Sequence, residues 1–181
     1  IPHWLLHATE HEDMLGFSDT IFPGFLFAMG MAVPFAIENR FKKGDTTGQV
    51  AVHIFWRTVA LLVMGLFTVN RDTIDATATG ISKPWFSILM VLAFFLVWSL
   101  YPKVSGLRKW LFTAMKLLGV AILVYLFYRY RGVNGSSFSP QWWGILGLIG
   151  WTYLVCASIY LLIRSDLMLN LIALVLMVGC A

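Results

Sequence analysis

Seven residues able to carry polar chemistry lie within the first nineteen: His3, His7 and His11, with Glu10, Glu12, Asp13 and Asp19. On a helix the histidines would fall at i, i+4 and i+8 on one face, a spacing at which neutral imidazoles can converge on a divalent metal. The competing reading of His3 and His11 is that they are polar residues at a membrane edge, and no metal site is assigned. A histidine near its ordinary pKa serves as a general base or a transient acyl carrier, and a neighbouring carboxylate such as Asp19 would orient it. Three further groups lie inside or beside apolar runs: His53 and Arg57, one helical turn apart, and Lys116. An ionisable side chain at depth is by default a functional candidate. For Arg57 and His53 two readings stand: snorkelling to the interface, or a vestibule for an anionic or phosphate-bearing ligand, which Lys116 could join.

The elements that must position these groups are membrane helices. Of 181 residues, 59% are hydrophobic and 12% charged, with mean hydropathy +0.79, against roughly 25% charged in a soluble domain. The excess apolar surface calls for lipid. The net charge of +4, from 13 basic and 9 acidic residues, sits in short segments between apolar runs, which is a topology signal and excludes a nucleic-acid footprint. No Gly-rich phosphate loop, nucleophile elbow or paired-Cys motif is present, and Cys156 and Cys180 read as small buried thiols.

About 20 residues at a rise of about 1.5 Å cross a hydrocarbon core of about 30 Å. Six runs appear: 20–38, 50–69, 85–101, 110–128, 142–163 and 167–181, the last short for a span. The expected fold is therefore an all-α polytopic transmembrane bundle of about six spans over 20–181, preceded by a polar interfacial or re-entrant segment at 1–19. Trp85, Tyr101, Trp110, Tyr128, Tyr130, Trp142 and Trp143 at the run ends suit the aromatic belts at headgroup level. Ser18-Asp19 reads as the N-cap of the first span, with Pro23 in its first turn and Pro34 as the site of a kink. Gly24, Ala28, Ala32 and Ala36 present a small-residue face, and Gly144, Gly147 and Gly150 a second one. The chain opens on Ile1 and closes on Ala181 inside an apolar run, which reads as a portion of a longer protein.

Arg40, Lys42, Lys43, Lys103, Arg108, Lys109 and Arg164 lie on one side of this topology, against Arg71, Lys83, Arg129 and Arg131 on the other. The positive-inside rule places the first set in the cytoplasm and the His-rich segment outside.

His7-Ala8-Thr9 and then Gly16-Phe17-Ser18-Asp19-Thr20-Ile21-Phe22-Pro23-Gly24, continuing to Gly30, resemble the heparan-α-glucosaminide N-acetyltransferase family. Arg57 to Gly65 followed by Asn70, and Trp142 to Trp151, are similar to its bacterial branch, known as a domain of unknown function. The D-x-[VI]-F-P block is the specific part of the likeness; Glu10 stands where that family often has tryptophan. The resemblance implies a multi-span protein of a bacterial cytoplasmic (inner) membrane. There acetyl-CoA, a co-substrate from the cytoplasm, would donate its acetyl group to an amino sugar on the opposite side. It further implies His7 as the active histidine, Asp19 as its neighbouring carboxylate, and Arg57 with Lys116 on the acetyl-CoA side. Besides the lipid bilayer and these substrates, a second copy of the chain is a candidate partner. The rival reading is a non-enzymatic transporter or assembly subunit in which Arg57 lines a path for an anionic solute.

Overall fold

A computed structural model describes residues 16–102, 106–164 and 166–179. The fold is all-α and polytopic. Its helices are α1 (Phe17–Lys42), α2 (Thr47–Asp72), α3 (Ala76–Thr79), α4 (Lys83–Trp98), α5 (Leu107–Arg129), α6 (Gly144–Ile163) and α7 (Leu167–Gly179). All but the single-turn α3 overlie the six apolar runs. Among the described residues, four stretches are long and apolar enough to cross a membrane: Phe17–Lys42, Thr47–Asp72, Arg108–Arg129 and Gln141–Ile163. At 16 and 13 residues, α4 and α7 reach only about 24 and 20 Å by helix rise. The third run was expected to continue to Tyr101, but its helix α4 stops at Trp98, where Ser99 turns extended. Pro102 disfavours helical backbone at the residue before it, and the Tyr101 hydroxyl donates to the Leu96 carbonyl at 2.9 Å.

The first helix starts earlier than its sequence suggested. Its N-cap is Gly16, not Ser18-Asp19. Asp19 instead occupies the third helical position, where its Oδ2 accepts from the Gly16 N–H at 3.0 Å and its charge suits the positive end of the helix dipole. Pro23 therefore lies beyond the first turn, and the helix runs on through both Pro23 and Pro34.

The chain divides into two compact units. The first comprises the residues up to Val59 and from Ile149 onward. Its core is Val33 and Ile37 from α1, Val50 and Ile54 from α2, and Tyr153 and Ala157 from α6. These positions pair at four-residue intervals, so each helix buries one narrow stripe. Much of the rest of α1, including Phe25, Phe27 and Phe35, is exposed, as befits a helix in contact with lipid or further helices.

The second unit spans Ala60–Leu148. Its core holds Phe67, Phe86, Met90, Ala93, Leu123, Leu126 and Tyr130, and α4 packs against α5. Gly119 permits that contact, because a Cβ there would meet Leu96 and Val97 side-chain atoms at 2.8 Å. Gly65 and Gly147 make a second close approach: a Cβ on Gly65 would collide with the Trp143 carbonyl and the Gly147 backbone. The expected closeness at Gly144 and Gly147 is thus present, whereas nothing lies within 4 Å of a Cβ built on Gly24. Tyr130, expected in an aromatic belt, is instead 1% exposed in the core; its hydroxyl pairs with the Thr73 hydroxyl at 2.9 Å. Trp85, Trp110, Tyr128 and Trp142 are exposed as a belt requires.

The polar connections of this second unit are tied by specific hydrogen bonds. Asn70, fully buried, donates to the Leu66 and Ser139 carbonyls at 2.7 Å each and accepts from the Ser139 N–H at 3.0 Å. Thr79 bonds both backbone groups of Arg131, and Arg129 donates to the Thr79 carbonyl. The chain then enters α6 through Gln141, Trp142, Trp143 and Gly144, all at positive φ, a left-handed turn that costs free energy at its three non-glycine residues.

Candidate functional site

The connection between α1 and α2 is only four residues long. Gly44, at φ +91, reverses the chain, and Thr46 and Gln49 exchange hydrogen bonds across the first turn of α2, the Thr46 N–H donating to Gln49 Oε1 and the Gln49 N–H to Thr46 Oγ1. This reciprocal capping fixes where α2 begins. The tight reversal brings the last turns of α1 alongside the first half of α2, and α6 closes the arrangement through Tyr153.

A cavity of about 200 Å³ lies there, lined among others by Asn39, Arg40, Lys43, His53, Arg57 and Tyr153. Three of these side chains are cations and one is an imidazole; none is a carboxylate. His53 and Arg57 share a face because they are four residues apart, while Val50 and Ile54 turn to the core. Arg57 stands ten residues after Thr47, about 15 Å along the helix by its rise. That is deeper than the apolar run implied, since α2 begins three residues before it. The Arg57 guanidinium stacks over the Tyr153 ring at 5.2 Å, a cation–π contact, and makes no hydrogen bond or ion pair among the described residues. Two carboxylates at this end of α1 are engaged with other residues. Asp45 holds Arg40 at 2.6 Å. Glu38 accepts from Arg164 at 3.2 Å and from the Tyr160 hydroxyl at 3.4 Å, while the Arg164 guanidinium lies 3.6 Å from the Phe41 ring centre.

A guanidinium inside a membrane-spanning helix that no described residue pairs is suited to water or an anion, because desolvating it uncompensated is expensive. Arginine also presents donors in a planar fork that matches carboxylate and phosphate oxygens. The cavity is smaller than the roughly 300–1,000 Å³ that encloses a drug-sized ligand. It has room for one anionic group whose remaining atoms lie outside.

Of the residues singled out in the sequence, Arg57 and His53 come together here with Arg40 and Lys43, which the sequence marked only as topology charges. Lys116 belongs to the second unit, where its ammonium lies 5.4 Å from the Tyr101 ring centre. Asp19 caps the start of α1. His3, His7, His11 and the acidic residues between them lie outside the described residues. Among the described residues no group of three or more His, Cys, Asp or Glu is placed to hold a metal ion. Tyr153 was not anticipated. Its signal was a polar-tipped aromatic in the middle of an apolar run, away from the ends where belts form.

No curated protein matches the chain, and neither does any solved structure. A family model described as "Domain of unknown function (DUF5009)" matches residues 6–180, and the chain, a polytopic membrane protein with this basic cavity in its first unit, belongs to that family.

Proposed function

We propose that the protein is a membrane acetyltransferase that takes acetyl-CoA from the cytoplasm and acetylates an amino sugar on the opposite side. The observation carrying this reading is Arg57, without an ion pair among the described residues, at the basic cavity, a set of residues suited to a phosphate-bearing donor and more cationic than packing requires. The likeness of His7-Ala8-Thr9 and the Asp19-Thr20-Ile21-Phe22-Pro23 block to the heparan-α-glucosaminide N-acetyltransferase family supplies the reaction class. In the direct route the acceptor amine attacks the thioester carbonyl, a C–N bond replaces the C–S bond, and His7 moves the amine proton to the departing sulfur. In the relay route the His7 imidazole carries the acetyl group between the two. Asp19 would orient His7 in either case, and Arg57 would hold the donor.

The test uses the complete protein in proteoliposomes, with glucosamine-type acceptors and acetyl-CoA. Acceptor-dependent CoA release is expected from wild type and lost in His7→Ala, while acetyl-CoA binding persists in that variant. Arg57→Gln is expected to raise KM for acetyl-CoA more than it lowers kcat. Absence of acetyl-CoA binding and turnover across an acceptor panel would overturn the reading and leave transport of an anionic solute as the better account of Arg57.

A further inference from the structure

Although the cavity lining contains no carboxylate, one carboxylate reaches its edge. Asp45, in the reversal between α1 and α2, accepts from Arg40 Nη1 at 2.6 Å, and its backbone N–H donates to the Arg40 carbonyl at 3.2 Å. The two side chains are 31% and 34% exposed, so water screens the pair and its net strength is modest. The connection also carries Gly44 in a left-handed conformation, which leaves this short loop little steric restraint. Tyr153, across the cavity, is 6% exposed, and its hydroxyl has no hydrogen-bond partner among the described residues.

We infer that the cavity is a phosphate-group site, for a phosphate ester or diphosphate, and that Asp45 is an internal anion holding Arg40 until the ligand's phosphate displaces it. Three lining cations, Arg40, Lys43 and Arg57, exceed what one carboxylate neutralises and suit a group with two negative charges. Arg40 and Arg57 supply forked donors for phosphate oxygens, and the Tyr153 hydroxyl is a further donor. A volume of about 200 Å³ admits the phosphate and leaves the rest of the ligand outside. Asp45 supplies one charge to one arginine. A phosphate that bridges two guanidiniums replaces it with more hydrogen bonds and more charge. The inference rests on the anion-binding half of the acetyltransferase reading and is independent of acetyl transfer.

The test measures pyrophosphate binding by calorimetry to the complete protein in phospholipid-free maltoside micelles. Wild type is expected to bind. Arg57→Gln weakens binding by about tenfold or more, the ordinary loss for a charge-assisted hydrogen bond, and Lys43→Gln, at an exposed position that cannot impair folding, weakens it severalfold. Asp45→Asn tightens binding about two- to fivefold, the range for releasing a partly exposed ion pair. Asp72→Asn, which removes a charge paired with Arg71 and Lys83 in the second unit, leaves it unchanged. Added phosphatidylglycerol that competes stoichiometrically identifies a lipid headgroup as the phosphate source; no competition identifies a soluble ester. Absence of pyrophosphate binding, or binding indifferent to Lys43→Gln and Asp45→Asn, overturns the inference. Pyrophosphate binding without acetyl-CoA binding would refute acetyl transfer alone. Acetyl-CoA binding that pyrophosphate does not compete with would refute the phosphate site alone.

Discussion

Replacing Asn70 by alanine is expected to loosen the second unit out of proportion to the atoms removed. The side chain is fully buried and makes three hydrogen bonds, two of them to Leu66 and Ser139 carbonyls and one from the Ser139 N–H. Each such bond contributes about 0.5–1.5 kcal/mol net, and each buried backbone group left without a partner costs about 1–3 kcal/mol. The Leu66 carbonyl retains its helical bond. The loss therefore falls on the Ser139 pair, whose N–H and carbonyl both lose their Asn70 partner. Allowing water to recover part of it, the cost is about 2–5 kcal/mol. For a chain of this size that corresponds to a drop in Tm of about 4–20 °C. Thermal unfolding of the complete protein in detergent, followed by intrinsic tryptophan fluorescence, reads the shift, and limited proteolysis between Val133 and Gly144 reads where the opening occurs. Asn70→Asp keeps the shape and the acceptor but turns the donor into a second acceptor facing two carbonyls, so it should be at least as damaging. If Asn70→Ala melts within 2 °C of wild type and the 133–144 segment stays protected, Asn70 does not fasten this connection.

Three further outcomes follow from the packing and the charges. Gly65→Ala should destabilise by about 1–3 kcal/mol, because its Cβ would strike backbone atoms of Trp143 and Gly147 that cannot rotate away, whereas Gly24→Ala, with open space around it, should be neutral or slightly stabilising; equal melting temperatures for the two would refute the close crossing. The Thr77 hydroxyl, with the Ala78 and Thr77 N–H groups, holds the Asp75 carboxyl below the usual carboxylate range. A depressed pKa means the stabilisation is present above the unfolded-state pKa and is lost as pH falls through the folded one, so the protection factors of the Thr77 and Ala78 amides should fall below about pH 4, and Asp75→Ala should abolish that pH dependence. Glu38→Gln, which weakens a partly exposed pair with Arg164, should cost no more than about 1 kcal/mol in thermal unfolding, and a larger loss would mean that this pair is more strongly coupled than its exposure implies.

Much of the fold was legible in the sequence. Apolar runs between charged residues are dictated by the bilayer, which leaves the backbone no partner but its own helix, so six helices fall on the six runs. Their ends were less legible. Asp19 reads equally well as an N-cap or as a first-turn acid, because both roles satisfy the same amide groups and the same dipole. Tyr130 looked like a belt residue because its polar tip suits an interface; the Thr73 hydroxyl, 57 positions away, is what satisfies that tip in the core. Gly24 and Gly147 each belong to a run of regularly spaced small residues, yet only Gly147 meets a neighbour, since the partner of a small-residue face lies on another helix and leaves no mark in the local pattern.

The candidate site divides in the same way. The sequence by itself determined that Arg57 and His53 share a face within an apolar run, since helical periodicity fixes that, and that an arginine there needs a reason. Only the tertiary structure decided which groups surround them. Arg40 and Lys43 reach the cavity because a four-residue reversal folds α1 back beside α2; Tyr153 reaches it from about a hundred positions further along the chain; and Asp45 and Glu38 are each held by a different arginine, with no ion pair to Arg57 among the described residues. Periodicity is a local property of one helix. Pairing of charges depends on distances between helices, which no single run of residues encodes.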